Sequence, residues 1–547
     1  MKKMQSGLLL LMLLCSCTTQ ESGTEEQQAS SDAGANGPAT SNRLVNSADT
    51  PGDWLMYSGT YDSHRYSSLD QINTSTIENL RVKWVYQLNT QAPVESSPVV
   101  VDGIMYFVEP PSTVLALDAS TGKELWKHDP QMPDDVLFLG FPPTNRGVAV
   151  IDDLVIVGTL DAHLLALDAK SGAERWKVNV ADNKTGHAIT AAPLVVKDKV
   201  IIGISGGEAG IRGFIDAYNI NTGDREWRFH TVPAEGEPGN ETWAGDSWKT
   251  GGGATWLTGS YDPELNLLYW GIGNPAPDWN GDMREGDNLY TCSVLAINPD
   301  SGELQWHFQF TPHDTHDWDA NQIPVLVDGS IEGIDRKLLV MANRNAFYYI
   351  LDRTNGEYIQ ATPYAKQTWA ERIDDDGKPI PLPNIEPTEE GTLIFPSLQG
   401  ATNWFSPSYS ERNGLFFVAV REMGALYFKM DVDYEPGQYF LGGGEQAFDG
   451  DEAKGYIRAI DALSGEIRWS FDLHSPPWAG VMSTAGGLVF GGTNEGNFFA
   501  LNDDTGESVW NFQVGGPIRT NPVSFMVEGN QNIAISGGNA LITFELK

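Results

Sequence analysis

The chain has 547 residues, of which 41% are hydrophobic, 20% charged and 10% aromatic. That is ordinary globular composition, and far too long for a small scaffold stapled by disulfides or metal. Its 73 acidic side chains against 35 basic ones leave a formal charge of −38, which repels nucleic-acid phosphates and anionic membrane faces and favours basic partners; nucleic-acid binding is excluded.

At the N-terminus Lys2 and Lys3 precede an apolar run from Leu8 to Leu14. A basic start and a short apolar stretch read as a secretory signal, too short for a stable membrane span. The ending Leu14-Cys15-Ser16-Cys17 resembles the bacterial lipoprotein cleavage box, with 1–17 as signal peptide and Cys17 as the lipidated residue. Thr18 in place of Asp then points to the outer membrane of a Gram-negative bacterium, on its periplasmic side, with the lipid as the only anchor. Cys15, Cys17 and Cys292 are the three cysteines, and no Cys-x-x-Cys-His occurs. Covalent c-type haem is therefore excluded, as are Cys-rich zinc and iron–sulfur sites. After processing, Cys292 is the one unlipidated thiol, so no intrachain disulfide forms. Residues 18 to 50, rich in Ser, Thr, Gln, Glu, Gly and Ala, read as a disordered tether. One large folded unit is expected over 51–547.

Within that unit a phrase recurs: Ala-x-Asp/Asn, then Thr/Ser-Gly, then Trp. Ala116-Leu117-Asp118 leads to Thr121-Gly122 and Trp126, and Ala166-Leu167-Asp168 to Ser171-Gly172 and Trp176. Further copies end at Trp227, Trp306, Trp469 and Trp510, and in all six Ala precedes Trp by ten residues and Gly by four. The pattern is a β-hairpin: an apolar strand ends at the Asp, the Gly takes a positive φ in the turn, and the Trp begins the return strand. Such a unit buries its faces only by stacking on neighbours, and a repeat of roughly 50 residues built from short strands indicates propeller blades. A degenerate copy, Leu351-Asp352 with Asn355-Gly356, puts Tyr358 in the place of Trp. Counting Trp84 as well gives eight return strands. Trp84 has no hairpin partner before it, and the strands from Asn532 to Leu546 have no return strand after them. The two ends are expected to pair, closing an all-β, eight-bladed propeller of four-stranded blades. Long spacings before Trp306 and Trp469 mark insertions where a site would be built.

The phrase resembles the tryptophan-docking motif of the pyrroloquinoline quinone (PQQ) dehydrogenases, and residues outside it extend the resemblance to the methanol/ethanol dehydrogenase branch, from about Trp54 to Phe544. Ser205-Gly206-Gly207-Glu208, before Arg212-Gly213, looks like the family's metal-binding turn, with Glu208 as carboxylate ligand. Gly273-Asn274-Pro275-Ala276-Pro277 resembles the stretch whose Asn gives an amide oxygen to the ion. Asp317, in Asp317-Trp318-Asp319, matches the catalytic base and a metal ligand. Hard oxygen donors of this kind suit Ca²⁺ or a lanthanide rather than zinc or copper. The resemblance further assigns Trp256 to stacking under the quinone, where a rigid indole suits a flat heteroaromatic. It assigns Glu95, Arg146, Thr190, Ser205, Gly206, Gly207, Arg344, Asn403, Trp404 and Trp478 to cofactor contacts.

Two departures stand out. Gly140-Phe141 occupies the place of the family's adjacent cysteines, so Phe141 is expected to cover the cofactor. Asp319 adds a carboxylate two residues after the base and resembles the lanthanide-dependent members, with Asp317 and Asp319 expected on one face of an extended segment. The implied reaction is oxidation of a small alcohol by hydride transfer to PQQ. Asp317 takes the hydroxyl proton, and electrons leave to an external carrier such as a basic cytochrome c. No G-x-G-x-x-G opens a helix after a strand, which argues against a nicotinamide enzyme. Two readings compete: a non-catalytic propeller scaffold or binding lipoprotein of the outer membrane, and a sugar-oxidising quinoprotein.

Overall fold

The computed structural model describes residues 39–139, 142–448 and 453–547. Cys17, the signal segment, residues 18–38 and Gly140-Phe141 lie outside the described residues. The folded body starts before residue 51. Ala39 bridges Asp152, Leu44 is buried in a short helix, Ser41–Val45, and Arg43 pairs with Asp53 and with Asp102. The tether expected as far as residue 50 is corrected here: from Ala39 onward the chain belongs to the folded body, fastened by the Ala39 bridge, buried Leu44 and the ion pairs of Arg43.

Eight antiparallel sheets form the blades. The first runs Val99–Val101, Ile104–Glu109, Thr113–Asp118 and Glu124–His128 in spatial order. The innermost strands of the eight are Val99–Val101, Ala149–Ile151, Leu194–Val196, Ser260–Asp262, Val325–Ile331, Ser408–Ser410, Met482–Thr484 and Val523–Val527. Most are buried along their whole length. The Trp-bearing strands at the opposite edge show exposed positions, as in Glu174–Asn179. Ring closure is as expected: Leu80–Gln87, which carries Trp84, pairs antiparallel with Ala540–Leu546. One blade departs from the four-stranded plan, because Tyr66–Ser67 adds to Met482–Thr484 as a fifth, parallel strand.

The repeat residues make the joints between blades. Asp118 Oδ1 accepts the N–H groups of Ser120 and Thr121, and Gly122 closes the turn with φ +70°, the side-chain-to-backbone turn for which Asp is suited. The Trp of one blade lies against the turn glycine of the next. A Cβ on Gly122 would stand 2.6 Å from Trp84, and one on Gly172 2.5 Å from Trp126. Each indole N–H also donates across the joint, Trp84 to Ala119 O at 3.0 Å and Trp126 to Ala169 O at 2.9 Å. Gly172→Ala is expected to lower stability by about 1–3 kcal/mol through left-handed backbone alone, and more as Trp126 is displaced. Chemical denaturation reads the loss, and an unchanged midpoint would contradict the joint's role.

The degenerate copy is corrected by the register. A bulge lies before the Trp in every hairpin, as between Ala116 and Leu117. In the degenerate blade Ile350 opposes Gln360, so Gln360 and not Tyr358 holds the Trp position. Gln360 Nε2 reaches Ser464 O across the joint, and Gly465 packs on Thr362 and Gln360. Tyr348 Oη donates to Ala462 O at 3.1 Å, the place an indole N–H takes elsewhere. Tyr358 instead stacks on Phe308 at 5.9 Å.

Candidate active site

Loops leading into the innermost strands, together with loops joining the second and third strands of blades, converge on a cleft of about 850 Å³, open mouth included. Its walls carry Glu95, Arg146, Thr190, Ser205, Gly206, Glu208, Trp256, Asp317, Asp319, Arg344, Asn403, Trp404 and Trp478. Gly207 and Asn274 lie just behind the wall: a Cβ on Gly207 would be 3.8 Å from Asn274 Oδ1. Of the sixteen positions read from the sequence as site residues, thirteen line this cleft and two, Gly207 and Asn274, lie just behind it; the sixteenth, Cys17, lies outside the described residues.

Glu208 sits in a tight turn, Gly207–Ala209, bracketed by Gly206 at φ +124° and Gly210 at φ +61°. Both glycines are required. A Cβ at Gly206 would meet Gly186 O at 2.3 Å, and one at Gly210 would meet Phe440 at 2.8 Å. From outside, Phe440 N–H donates to Glu208 O at 2.7 Å and fixes the turn.

Arg344 organises the carboxylates. Its Nη1 donates to Asp317 O at 2.8 Å and lies 3.5 Å from Asp317 Oδ1. Its Nη2 lies 3.0 Å from Asp319 Oδ2 and donates to Asn403 Oδ1 at 3.3 Å. Asp319 faces the cleft: Trp256 Nε1 donates to Oδ2 at 3.0 Å, and Asn274 N donates to Oδ1 at 2.9 Å. The convergence of Asp317 and Asp319 does not come from strand alternation. Asp317 has φ +59°, and the segment is a loop, so the backbone reverses there rather than running extended. Arg146 holds Glu95 at 2.8 Å and lies over the rings of Trp256 and Trp404 at 4.9 and 5.3 Å. Thr190 and Ser205 share a hydroxyl hydrogen bond of 2.7 Å.

Charge in this cleft is concentrated. Removal from bulk water, followed by the charge of Asp319, holds the Glu208 carboxyl up to about 7. Burial pushes Asp317 well above the carboxylate range although Arg344 opposes it. Asp278, a position the sequence reading passed over, is also pushed well up, by burial and then by Glu208 and Asp319. Among the described residues only Asp62, His64 and Glu411 bring three such ligand atoms within 4.8 Å of one another. Glu208, Asp317 and Asp319 stand wider apart and would draw together around a cation.

These shifts carry a pH signature. Glu208 has a folded value above its ordinary 4.5, so the unfolded chain gives up that proton first. Its contribution therefore lowers the stability of the cation-free protein as pH rises from 4.5 to about 7. A cation needs the ionised carboxylates, so its binding is expected to release protons and to tighten with rising pH in that window. Calorimetry in two buffers of different ionisation enthalpy measures the release; binding without any proton release would contradict it.

The residues fit a flat, carboxylated heteroaromatic. Arg146 Nε and Nη1 and Arg344 Nε are buried N–H donors without a hydrogen-bond partner, and orphaned donors of this kind are costly unless a ligand meets them. They surround the Trp256 face, with Arg344 at 5.7 Å from the ring. Phe138, Leu139, Pro142, Thr144, Gln399 and Arg519 complete the wall and were not read from the sequence. A signal for Arg519 does exist. Glu95, Thr190, Trp404 and Arg519 each stand three residues before the proline that leads into an innermost strand, at Pro98, Pro193, Pro407 and Pro522.

Comparison with known proteins gives the family. Residues 54–366 match the family model described as "Glucose/ethanol/alcohol dehydrogenase, beta-propeller domain". Residues 453–547 match one described as "Outer membrane protein assembly factor BamB"; that segment carries the last docking repeats and none of the clustered carboxylates. The quinoprotein alcohol dehydrogenase PedH of Pseudomonas putida is 40% identical over 502 residues, covering 87% of this chain and 84% of that protein. A lanthanide-dependent methanol dehydrogenase of Methylacidiphilum fumariolicum is 36% identical over 527 residues, covering 90% and 86%. Among solved structures, a europium-containing methanol dehydrogenase matches with a TM-score of 0.88 at 33% identity, covering 92% of this chain and 100% of that one. The chain belongs to the family of PQQ-dependent alcohol dehydrogenases. It is an oxidoreductase of that class.

Proposed function

We propose that this chain oxidises a small alcohol to the aldehyde or ketone in the Trp256 cleft, using PQQ with a lanthanide or Ca²⁺ ion. The observation that carries this reading is the set of buried, unpartnered guanidinium donors beside Trp256, facing a group of carboxylates. Arg146, Arg344, Thr190, Ser205 and Asn403 would hold the cofactor's polar edge, and Trp256 its face. Glu208, Asn274, Asp317 and Asp319 would hold the ion. When bound, PQQ supplies a quinone carbonyl carbon that takes up hydride, and the ion polarises that carbonyl. The chain's own part is positioning and proton transfer. Arg344 fixes Asp317 through both backbone and side chain, and ionised Asp317 accepts the hydroxyl proton. Burial strengthens its hold on that proton, and Arg344 limits the rise. Trp478, Phe138 and Leu139 line the cleft with apolar surface and limit water.

Electrons would leave to an external acceptor, because no Cys-x-x-Cys-His in this chain can attach haem. The charge of −38 supports a basic cytochrome c-type partner, whose reduction would slow as salt screens the attraction. Cys17 would hold the enzyme at the periplasmic face of the outer membrane. A Cys17→Ala protein is expected in the soluble fraction, and its persistence in washed membranes would refute the lipid anchor. The functional test reconstitutes the protein with PQQ and either La³⁺ or Ca²⁺, then scans alcohols and aldoses with a dye acceptor. Turnover of primary alcohols, faster with La³⁺, is the expected result. Turnover of aldoses alone would install the sugar-oxidising reading, and bound PQQ with no turnover the non-catalytic one.

A further inference from the structure

Asp278 is a buried carboxylate of this region that neither the sequence pattern nor the mechanism uses. It lies on the loop after Leu267–Gly271, four residues beyond Asn274. It is 2% exposed, and its Oδ1 is buried without a hydrogen-bond partner. The nearby cation does not pair with it: buried Arg284 spends its donors on the carbonyls of Pro277, Asp278 and Asp314 and on Asn288 Oδ1. Among the described residues Asp278 forms no ion pair. Instead the charges of Glu208 and Asp319 bear on it, and the Asn274 amide lies beside it. A carboxylate left buried, unpaired and among other carboxylates is unfavourable unless a cation completes the site.

We propose that Asp278 is a member of the metal centre, a fourth carboxylate beside Glu208, Asp317 and Asp319 that biases the site toward a trivalent ion. The proposal rests on the metal-site reading above and deepens it. Four carboxylates and the Arg344 guanidinium leave three negative charges. A trivalent ion cancels them, whereas a divalent ion leaves one uncompensated in a low-dielectric cleft. A lanthanide also accepts more oxygen ligands than the four side chains named for the family, so a further carboxylate has a place to bind. Asp278 acts on the ion and on the Asn274 amide; it is not assigned any proton transfer.

Terbium luminescence tests this on the full chain, with Trp256 as the nearby antenna. Tb³⁺ and Ca²⁺ affinities are measured for the wild type, Asp278→Asn and Asp278→Ala, and for Glu208→Gln as a control. In both Asp278 variants the ratio of Tb³⁺ to Ca²⁺ affinity is expected to fall by at least about tenfold. A ratio that changes less than that in either folded variant overturns the proposal. Replacing a buried carboxyl whose Oδ1 has no hydrogen-bond partner is expected to leave the metal-free unfolding temperature unchanged or higher, so both variants should fold. If Glu208→Gln binds Tb³⁺ as the wild type does, the metal-site reading itself fails. If only the Asp278 variants do so, that reading stands and Asp278 is outside the centre.

Discussion

Asp317→Asn is expected to lower alcohol turnover by about 10²–10⁴-fold, the usual contribution of a positioned general base, while the protein still binds PQQ. The amide keeps the size of the side chain and the Asp317 carbonyl that Arg344 grips at 2.8 Å, so the cleft should hold its shape. What it loses is the ability to accept a proton. The split between binding and turnover is therefore diagnostic: kcat should collapse, while the PQQ titration midpoint moves little. Comparable turnover in the variant would remove Asp317 from the chemistry and leave the cleft without a named base.

Asp319→Ala is expected to lower turnover supported by La³⁺ by about 10–100-fold or more, and turnover supported by Ca²⁺ far less. Each Asp319 oxygen accepts from the surrounding protein, Oδ1 from Asn274 N and Oδ2 from Trp256 Nε1 and Arg344. The carboxylate is thus held rigidly in the cleft rather than turned to solvent. Its loss removes one negative charge from the ion's surroundings, which a trivalent cation needs more than a divalent one. The same loss frees the Trp256 indole N–H, so some fall with both ions is built into the structure; the diagnostic is the ratio of La³⁺ to Ca²⁺ rates. Equal La³⁺-supported activity before and after the substitution would end Asp319's role at the ion.

The propeller was legible because its joints use residue pairs that recur at fixed spacing. A glycine that must tolerate an indole at 2.5 Å, and an Asp that must cap its own turn, leave a pattern in any single copy. The one degenerate joint was misread by two residues. The spacing of the other six copies, ten residues after the Ala position and four after the Gly, already points to Gln360, and the register agrees by placing it opposite Ile350. The excursions between the fifth and sixth blades and within the sixth had no such pattern. Its small sheets, Ala370–Ile373 with Pro379–Pro381 and Thr392–Ile394 with Ala425–Lys429 and Gly443–Ala447, pack on local contacts that never repeat. The site was legible where short phrases resemble the family, as at Glu208 and Asp317. Asp278 stayed hidden because nothing about a lone Asp in a Pro-Asp-Trp loop announces a buried, unpartnered oxygen. The approach of Asp317 to Asp319 was anticipated for the wrong reason, since a left-handed residue in a loop, not strand alternation, brings the two together.

The central claim is that one cleft, around Trp256, Arg146, Arg344 and the carboxylate group, makes this chain a PQQ-dependent alcohol oxidant. Titrating purified, cofactor-free protein with PQQ in the presence of La³⁺, and following Trp fluorescence and dye-linked ethanol oxidation together, tests it most directly. Fluorescence quenching and activity should rise in parallel and saturate at one PQQ per chain. Both should be shifted to far higher PQQ concentration in Arg146→Ala, whose guanidinium supplies two of the unpartnered donors. Saturable PQQ binding that leaves ethanol untouched, or activity indifferent to Arg146, would contradict it.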